Sequence, residues 1–155
     1  MDKKALLTPG GSREWETPWE LFRKIDSLYH FTLDVCATPE NKKCERFFSK
    51  ADDGLAQEWK GVCWMNPPYG RDVEPWIKKA YKAADSGAAV VVALLPARTD
   101  TKWFHRYIYG KAEVRFLEGR VKYVRKDGKS GPAPFPSMIV VWNKRRKNKL
   151  WQGKT

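Results

Sequence analysis

The feature that most constrains the fold of this chain is an unbroken apolar run, Ala88 to Leu95. A strand with one wet face alternates polar and apolar residues, so a run apolar at every position fits a strand covered on both faces. At eight residues it is far too short to cross a bilayer as a helix. Flanking segments supply the covers. Trp19, Phe22, Ile25 and Tyr29, with Leu21 and Leu28, recur at helical spacing. Thr17-Pro18 before them predicts an N-cap followed by Pro at the first helical position. Val73, Trp76, Ile77, Ala80, Tyr81 and Ala84 line one face of a second helix, with Gly87 as its stop. Trp103, Phe104, Tyr107 and Ile108 mark a short third helix ending at Gly110. Strands are predicted at Phe31 to Val35, Gly61 to Met65, Val114 to Phe116 and Ser137 to Trp142, with a short one at Glu45 to Phe48. Arg125 to Pro136, polar and rich in Gly and Pro, predicts a mobile loop. Trp19, Trp76 and Trp103 sit on apolar helix faces, where core positions are expected. The alternation predicts an α/β domain of three layers around a mostly parallel sheet.

Ligands of such sheets sit outside the carboxyl ends of the strands. Asp34, Asp53 and Asn66 all fall at or just past predicted strand ends, on one shared edge. At that edge Gly61-Val62-Cys63-Trp64-Met65 runs directly into Asn66-Pro67-Pro68-Tyr69. Each Pro fixes its own φ and keeps the residue before it extended. The Asn66 side-chain oxygen and the Pro67 carbonyl are then two acceptors beside the flat face of Tyr69. That set suits the exocyclic NH2 of a nucleobase. Accepting its hydrogens localises the nitrogen lone pair and aims it at an electrophile such as a sulfonium methyl, a transfer that needs positioning more than a strong base. A strand-terminating Pro-Pro-Tyr-Gly turn is the plainer alternative.

Charge points to the same class of partner. Thirty Lys/Arg against eighteen Asp/Glu give a formal +12 and a pI near 9.7. A polyanion is favoured over a neutral metabolite. Residues 120–149 hold ten of the basic residues and one acid, interleaved with Tyr123, Phe135 and Trp142. This reads as a nucleic-acid surface, with a solvated tail as the alternative for Lys144 to Lys149. Cys36, Cys44 and Cys63 are odd in number and lack paired spacing, so reduced thiols in a cytoplasmic protein are expected, without a disulfide framework or metal site. His30 and His105 have no metal partner in the pattern. No signal peptide or membrane span is read. The expected organisation is a flexible arm over 1–14, one domain over 15–143 and a basic tail over 144–155.

The motifs in their order resemble the phage-type DNA N-6-adenine methyltransferases over most of the chain, from about Trp15 to Val141. They are Trp15-Glu16-Thr17-Pro18, Leu33-Asp34-Val35-Cys36-Ala37, Asp53-Gly54-Leu55 and Trp64-Met65-Asn66-Pro67-Pro68-Tyr69-Gly70. Leu94-Leu95-Pro96-Ala97-Arg98-Thr99-Asp100-Thr101, Trp103-Phe104, Gly119-Arg120 and Ala133-Pro134-Phe135-Pro136-Ser137 follow. The resemblance implies a Rossmann-like domain that moves a methyl group from S-adenosylmethionine to the adenine amino group of DNA, in a bacterial host cell if the chain is phage-encoded. It implies catalysis by Asn66, Pro67, Pro68 and Tyr69, and cofactor binding by Trp15, Thr17, Pro18, Asp34, Ala37, Asp53 and Asn66. It places Arg98, Asp100, Arg120 and Ser137 at the substrate; charge adds Lys144, Arg145, Arg146 and Lys147. Many amino-methyltransferases follow the cofactor strand with a glycine-rich turn, which is absent after Asp34 here. Asp34 can instead be a helix cap, Asp53 an ordinary Asp-Gly turn with Asp52 able to take its role, and Thr99 or Asp100 a cap beside Arg98. RNA, a protein glutamine amide, or a non-catalytic nucleic-acid module on a degenerate methyltransferase fold are the other readings. A chain this small has little to insert into a groove, so sequence discrimination is expected to be short or loose.

Overall fold

The structure, a computed structural model, describes residues 15–125 and 129–144. Helices α1 (Trp19–Tyr29), α2 (Val73–Asp85) and α3 (Lys102–Tyr107) alternate with strands β1 (Leu33–Asp34), β2 (Gly61–Met65), β3 (Ala89–Pro96) and β4 (Glu113–Phe116). The chain continues through β5 (Lys122–Val124) and β6 (Ser130–Pro132) to β7 (Ser137–Trp142). Five strands form one sheet in the order β1-β2-β3-β7-β4, and β5-β6 is a separate two-stranded ribbon.

The apolar run from Ala88 becomes β3, the middle strand, buried at seven of its eight positions. The β1-β2 and β2-β3 ladders are parallel; β3-β7 and β7-β4 are antiparallel. Four of the five strands therefore run the same way, and β7 alone is reversed. The sheet is mixed rather than simply mostly parallel, and connectivity gives the reason. β7 is fed from the β5-β6 ribbon at the carboxyl edge, with no crossover helix to carry the chain back to the other edge.

Side chains alternate across the sheet. Phe22 of α1 packs edge-on against Trp64 of β2, at 5.3 Å between ring centroids. One register position away, Trp142 donates from Nε1 to the Tyr107 carbonyl of α3 at 2.7 Å.

Several expected elements take another form. The strand predicted at Glu45 to Phe48 is only a parallel bridge, Asp34 to Phe47. Within the mobile loop predicted from Arg125 to Pro136, Ser130–Pro132 form β6 and pair with β5, and Ala133 and Phe135 are buried. Those two side chains supply the apolar anchor that the Gly and Pro content hid. Trp19 is 43% exposed rather than core. Its ring carries Lys43 Nζ at 4.1 Å and the Arg23 guanidinium at 5.4 Å. No described helix is long and apolar enough to cross a membrane.

Candidate active site

The carboxyl ends of β1, β2 and β3 and the start of β7 form one edge, and most residues singled out from the sequence collect there. β2 ends at Met65, so Asn66 projects from its last turn beside the end of β1, where Val35 N donates to the Trp64 carbonyl at 3.1 Å. Pro67 is buried and Pro68 half-buried behind it.

The Asn66 carboxamide is held on both sides. Its Nδ2 donates to the Trp15 carbonyl and to Thr17 Oγ1, the latter at 3.0 Å. A carbonyl cannot donate, so the nitrogen must face Trp15, and the oxygen faces the other way. Tyr69 donates its hydroxyl toward that oxygen at 2.8 Å. The two partners of Nδ2 lie about fifty residues earlier in the chain, on the segment that enters α1. Thr17 is therefore not the N-cap predicted for that helix. Pro18 takes the cap position without a side-chain bond, and its carbonyl accepts from Phe22 N at 3.1 Å. The Thr17 hydroxyl is turned inward, 1% exposed, onto Asn66.

Tyr69 differs from the open stacking plate expected. Its ring is 1% exposed and meets Tyr123 and Phe135 edge-on at 6.1 Å and 5.6 Å. Trp15 packs edge-on against the same two rings. Two backbone bonds between Glu16 and Val124, 3.2 Å and 3.0 Å, tie the entry segment to the β5-β6 ribbon above them. The Tyr69 hydroxyl also reaches the Leu94 carbonyl at 2.9 Å and Tyr123 OH at 3.2 Å. Burial, with Tyr123 beside it, holds the Tyr69 phenol well above its ordinary pKa, and burial raises Tyr123 as well. Both remain protonated at neutral pH.

The acids separate clearly. Asp34 is 1% exposed, and its carboxylate accepts from Cys36 N at 3.3 Å and Lys43 N at 3.0 Å. It clamps the loop after β1 and caps no helix. Burial outweighs these bonds and the Lys43 charge and raises its pKa to about 6. Ala37 is buried beside it, its N–H on the Phe48 carbonyl at 3.0 Å. Asp52 closes a capping box with Ser49 at 2.8 Å and 2.9 Å. Asp53 is exposed, in the left-handed region at φ 52°, and its charge acts on the nearby Lys79 ammonium. Such backbone strain in a non-Gly residue is concentrated at functional sites. Gly54 explains how the turn is held. A Cβ there would lie 2.5 Å from the Val35 carbonyl and 3.1 Å from the Trp76 ring, while Trp59 Nε1 donates to the Gly54 carbonyl at 2.8 Å.

At the end of β3, Thr101 caps α3, accepting from Phe104 N at 3.3 Å and donating to the Arg98 carbonyl at 2.8 Å. Neither Thr99 nor Asp100 is the cap, and Asp100 is exposed. Arg98 Nη2 and Trp15 Nε1 are buried donors without an acceptor among the described residues. Arg120 is exposed between β4 and β5. Ser137 is 1% exposed and bonded to Tyr123 OH at 3.0 Å, so it does not face outward toward a substrate. Lys144 follows β7, whose reversal carries it to the opposite edge of the sheet. Arg145, Arg146 and Lys147 lie outside the described residues, as do the arm over 1–14 and residues 126–128.

Tyr123, Phe135 and Trp142, expected among the basic residues of a nucleic-acid surface, are buried instead, and Trp59, a core residue, carried no periodic signal in the sequence. Burial pushes the thiols of Cys44 and Cys63 up to about 12, so neither is an available nucleophile. Among the described residues no group of three His, Cys, Asp or Glu gathers as for a metal. An open cleft of about 510 Å³ by Phe31, Lys43 and Arg46 contains none of the residues assigned from sequence.

A profile of the DNA N-6-adenine-methyltransferase (Dam) family matches residues 8–151. The chain belongs to the DNA N-6-adenine-methyltransferase family. It is an adenine-specific DNA methyltransferase. It is 30% identical over 134 residues to the DNA N-6-adenine-methyltransferase of Haemophilus phage HP1, covering 83% of this chain and 77% of that one. The enzyme of the same name from Escherichia phage T1 is 35% identical over 120 residues, 74% of this chain and 49% of its own. The methyltransferase described here thus spans about half the length of the T1 relative.

Proposed function

We propose that this methyltransferase carries S-adenosylmethionine at the edge formed by Trp15, the end of β1 and Asp53, and presents adenine N6 to Asn66. The observation that carries the reading is the fixed Asn66 carboxamide. With Nδ2 engaged by two acceptors, Oδ1 is oriented before any substrate arrives, and positioning is what an in-line methyl transfer most needs.

The residues at this edge fit the methyl donor. Asp53 offers an exposed carboxylate to an amine or hydroxyl, and Trp15 Nε1 is a buried donor without an acceptor among the described residues. Bound there, S-adenosylmethionine supplies the electrophilic methyl. Asp34 and Ala37 act through the backbone they hold, Thr17 and Pro18 by seating Asn66 and the entry segment. In the proposed chemistry Asn66 Oδ1 and the Pro67 carbonyl accept the two N6 hydrogens, so the lone pair points along the line of transfer. Pro68 keeps that carbonyl rigid. For the base to meet the Tyr69 face, the Phe135 ring that packs edge-on against it must move. Arg98, whose buried Nη2 has no acceptor among the described residues, and the exposed Asp100 and Arg120 suit the target nucleotide; Lys144 and the basic tail suit phosphates.

Helix α1 on Trp64 and α3 on Trp142, at register positions of opposite parity, support a three-layer, Rossmann-like arrangement. Three free cysteines support a reducing cytoplasm, that of a bacterial host if the gene is phage-borne. Incubating the enzyme with methyl-labelled S-adenosylmethionine and DNA, RNA or protein, then analysing nucleosides, tests the whole. Label in N6-methyladenine of DNA is expected; label confined to RNA or glutamine would overturn it.

A further inference from the structure

The buried hydroxyls behind Asn66 form a chain whose direction is fixed by counting protons. Ser137 Oγ lies 3.0 Å from Tyr123 OH, which lies 3.2 Å from Tyr69 OH. Tyr69 OH in turn lies 2.8 Å from Asn66 Oδ1 and 2.9 Å from the Leu94 carbonyl. Ser137, Tyr123 and Tyr69 are all at most 1% exposed. The last two acceptors have no hydrogen to give, and Tyr69 has one hydrogen for both. If Tyr69 donated to Tyr123, the buried Leu94 carbonyl and the part-buried Asn66 oxygen would both face a bare oxygen. The favourable order is therefore Ser137 to Tyr123, Tyr123 to Tyr69, and Tyr69 to one of the two carbonyls.

We propose that Tyr123 is a positioning residue for methyl transfer, keeping the single Tyr69 hydrogen directed at the carbonyl pair so that it can pass from Asn66 Oδ1 to the Leu94 carbonyl when substrate binds. The inference rests on the assignment of Asn66 as the acceptor of the reacting amine. With Tyr69 on Asn66, the carboxamide is held in place and one of its oxygen's lone pairs is engaged. A base amine donating to Asn66 Oδ1 supplies a replacement hydrogen there. The Tyr69 hydroxyl then turns to Leu94 by rotation about one bond, and neither oxygen is left without a partner. Tyr123, donating into Tyr69, stops that hydroxyl from turning to a third direction. Chained hydroxyls polarise one another, so the effect of one link depends on the next being present. The Phe135 ring, 5.9 Å from Tyr123, closes the chain off from solvent on the ribbon side.

The test is a double-mutant cycle on steady-state kinetics, with an oligonucleotide carrying an unpaired adenine as substrate. Tyr123→Phe keeps the ring and removes the donor. It is expected to lower kcat about fivefold to tenfold, as loss of one neutral hydrogen bond would, with KM for both substrates little changed. Tyr69→Phe removes the shared hydrogen. Adding Tyr123→Phe to it should lower kcat no further, whereas two purely structural losses would multiply. Ser137→Ala, which leaves both rings in place, should show a smaller kcat loss of the same kind; it reads the chain even if Tyr123→Phe fails to fold. Asn66→Ala, run alongside, separates the two assignments. If it abolishes turnover while Tyr123→Phe or Ser137→Ala leaves kcat at the parent value, or if the losses multiply, the relay is refuted and Asn66 stands. If Asn66→Ala turns over normally, both fall together.

Discussion

Thr17 Oγ1 sits 3.0 Å from Asn66 Nδ2, joining the segment before the first helix to the turn after the second strand. Thr17→Val keeps the shape and removes the acceptor, leaving a buried amide hydrogen unpaired at roughly 1–3 kcal/mol. Part of that falls on the orientation of Asn66, so kcat should drop about tenfold or more while affinity for S-adenosylmethionine by calorimetry changes less. Thr17→Ser should restore most of the activity. A valine variant with parental kcat would mean that the Trp15 carbonyl alone seats Asn66.

Asp52 and Asp53 should behave as opposites. Asp52→Ala opens the capping box with Ser49 and should lower the melting temperature slightly with little effect on cofactor affinity. Asp53→Ala should leave melting nearly unchanged and weaken S-adenosylmethionine binding. Gly54→Ala presses a methyl onto the Val35 carbonyl, an overpacking that costs typically 1–3 kcal/mol, and should weaken binding too because the turn shifts. Equal affinity in the Asp53 and Asp52 variants would move the cofactor away from this turn.

What the sequence made legible follows from what its signals encode. Strand ends were readable because an apolar run stopping at Asn66-Pro67 is an unambiguous boundary, and the shared edge follows from the direction of parallel strands. The reversal of β7 was not readable, since Ser137 to Trp142 is apolar at most positions and such a run has no direction. The β5-β6 ribbon escaped because Ser130-Gly131-Pro132 carries no alternating pattern; only Tyr123, Ala133 and Phe135 fold it down. Thr17 looked like a helix cap because Thr before Pro suits a cap as well as it suits a bond to a distant amide. Lys144 was grouped with the substrate residues by charge, which says nothing about which edge the chain leaves from.

Asp34 gives a pH signature. Its pKa is about 6 in the folded chain against an ordinary value of 3.8, because burial disfavours the charged form. The folded state therefore holds a proton that the unfolded state has released between those values. Stability from this group is present in full below about 3.8 and is lost as pH rises through about 6, a swing on the order of 3 kcal/mol. Against Asp34→Asn, which has no titration there, the parent's relative unfolding free energy should fall between pH 4 and pH 7. A flat difference would mean that the two backbone amides keep the carboxylate ionised throughout.

The position of the basic residues divides DNA binding into two separable parts. Extracting an adenine from its stack costs a few kcal/mol, least for an unpaired base, and phosphate contacts must offset it. Each phosphate neutralised contributes about 0.9 to the slope of log affinity against log salt on duplex DNA. Lys144, which follows β7, leaves the sheet at the edge opposite Asn66. Replacing Lys144, Arg145, Arg146 and Lys147 together by Gln should flatten the slope and weaken all DNA sequences alike, with kcat on a saturating short substrate unchanged. Replacing Arg98 by Gln should instead lower kcat, because its buried Nη2 lies at the carboxyl edge with the site, and should alter the slope by at most about one contact. Equilibrium binding over a range of salt, beside single-turnover rates, distinguishes the two. A tail variant with the parental slope would leave the phosphate surface to Arg98, Arg120 and the loop from Arg125 to Lys129.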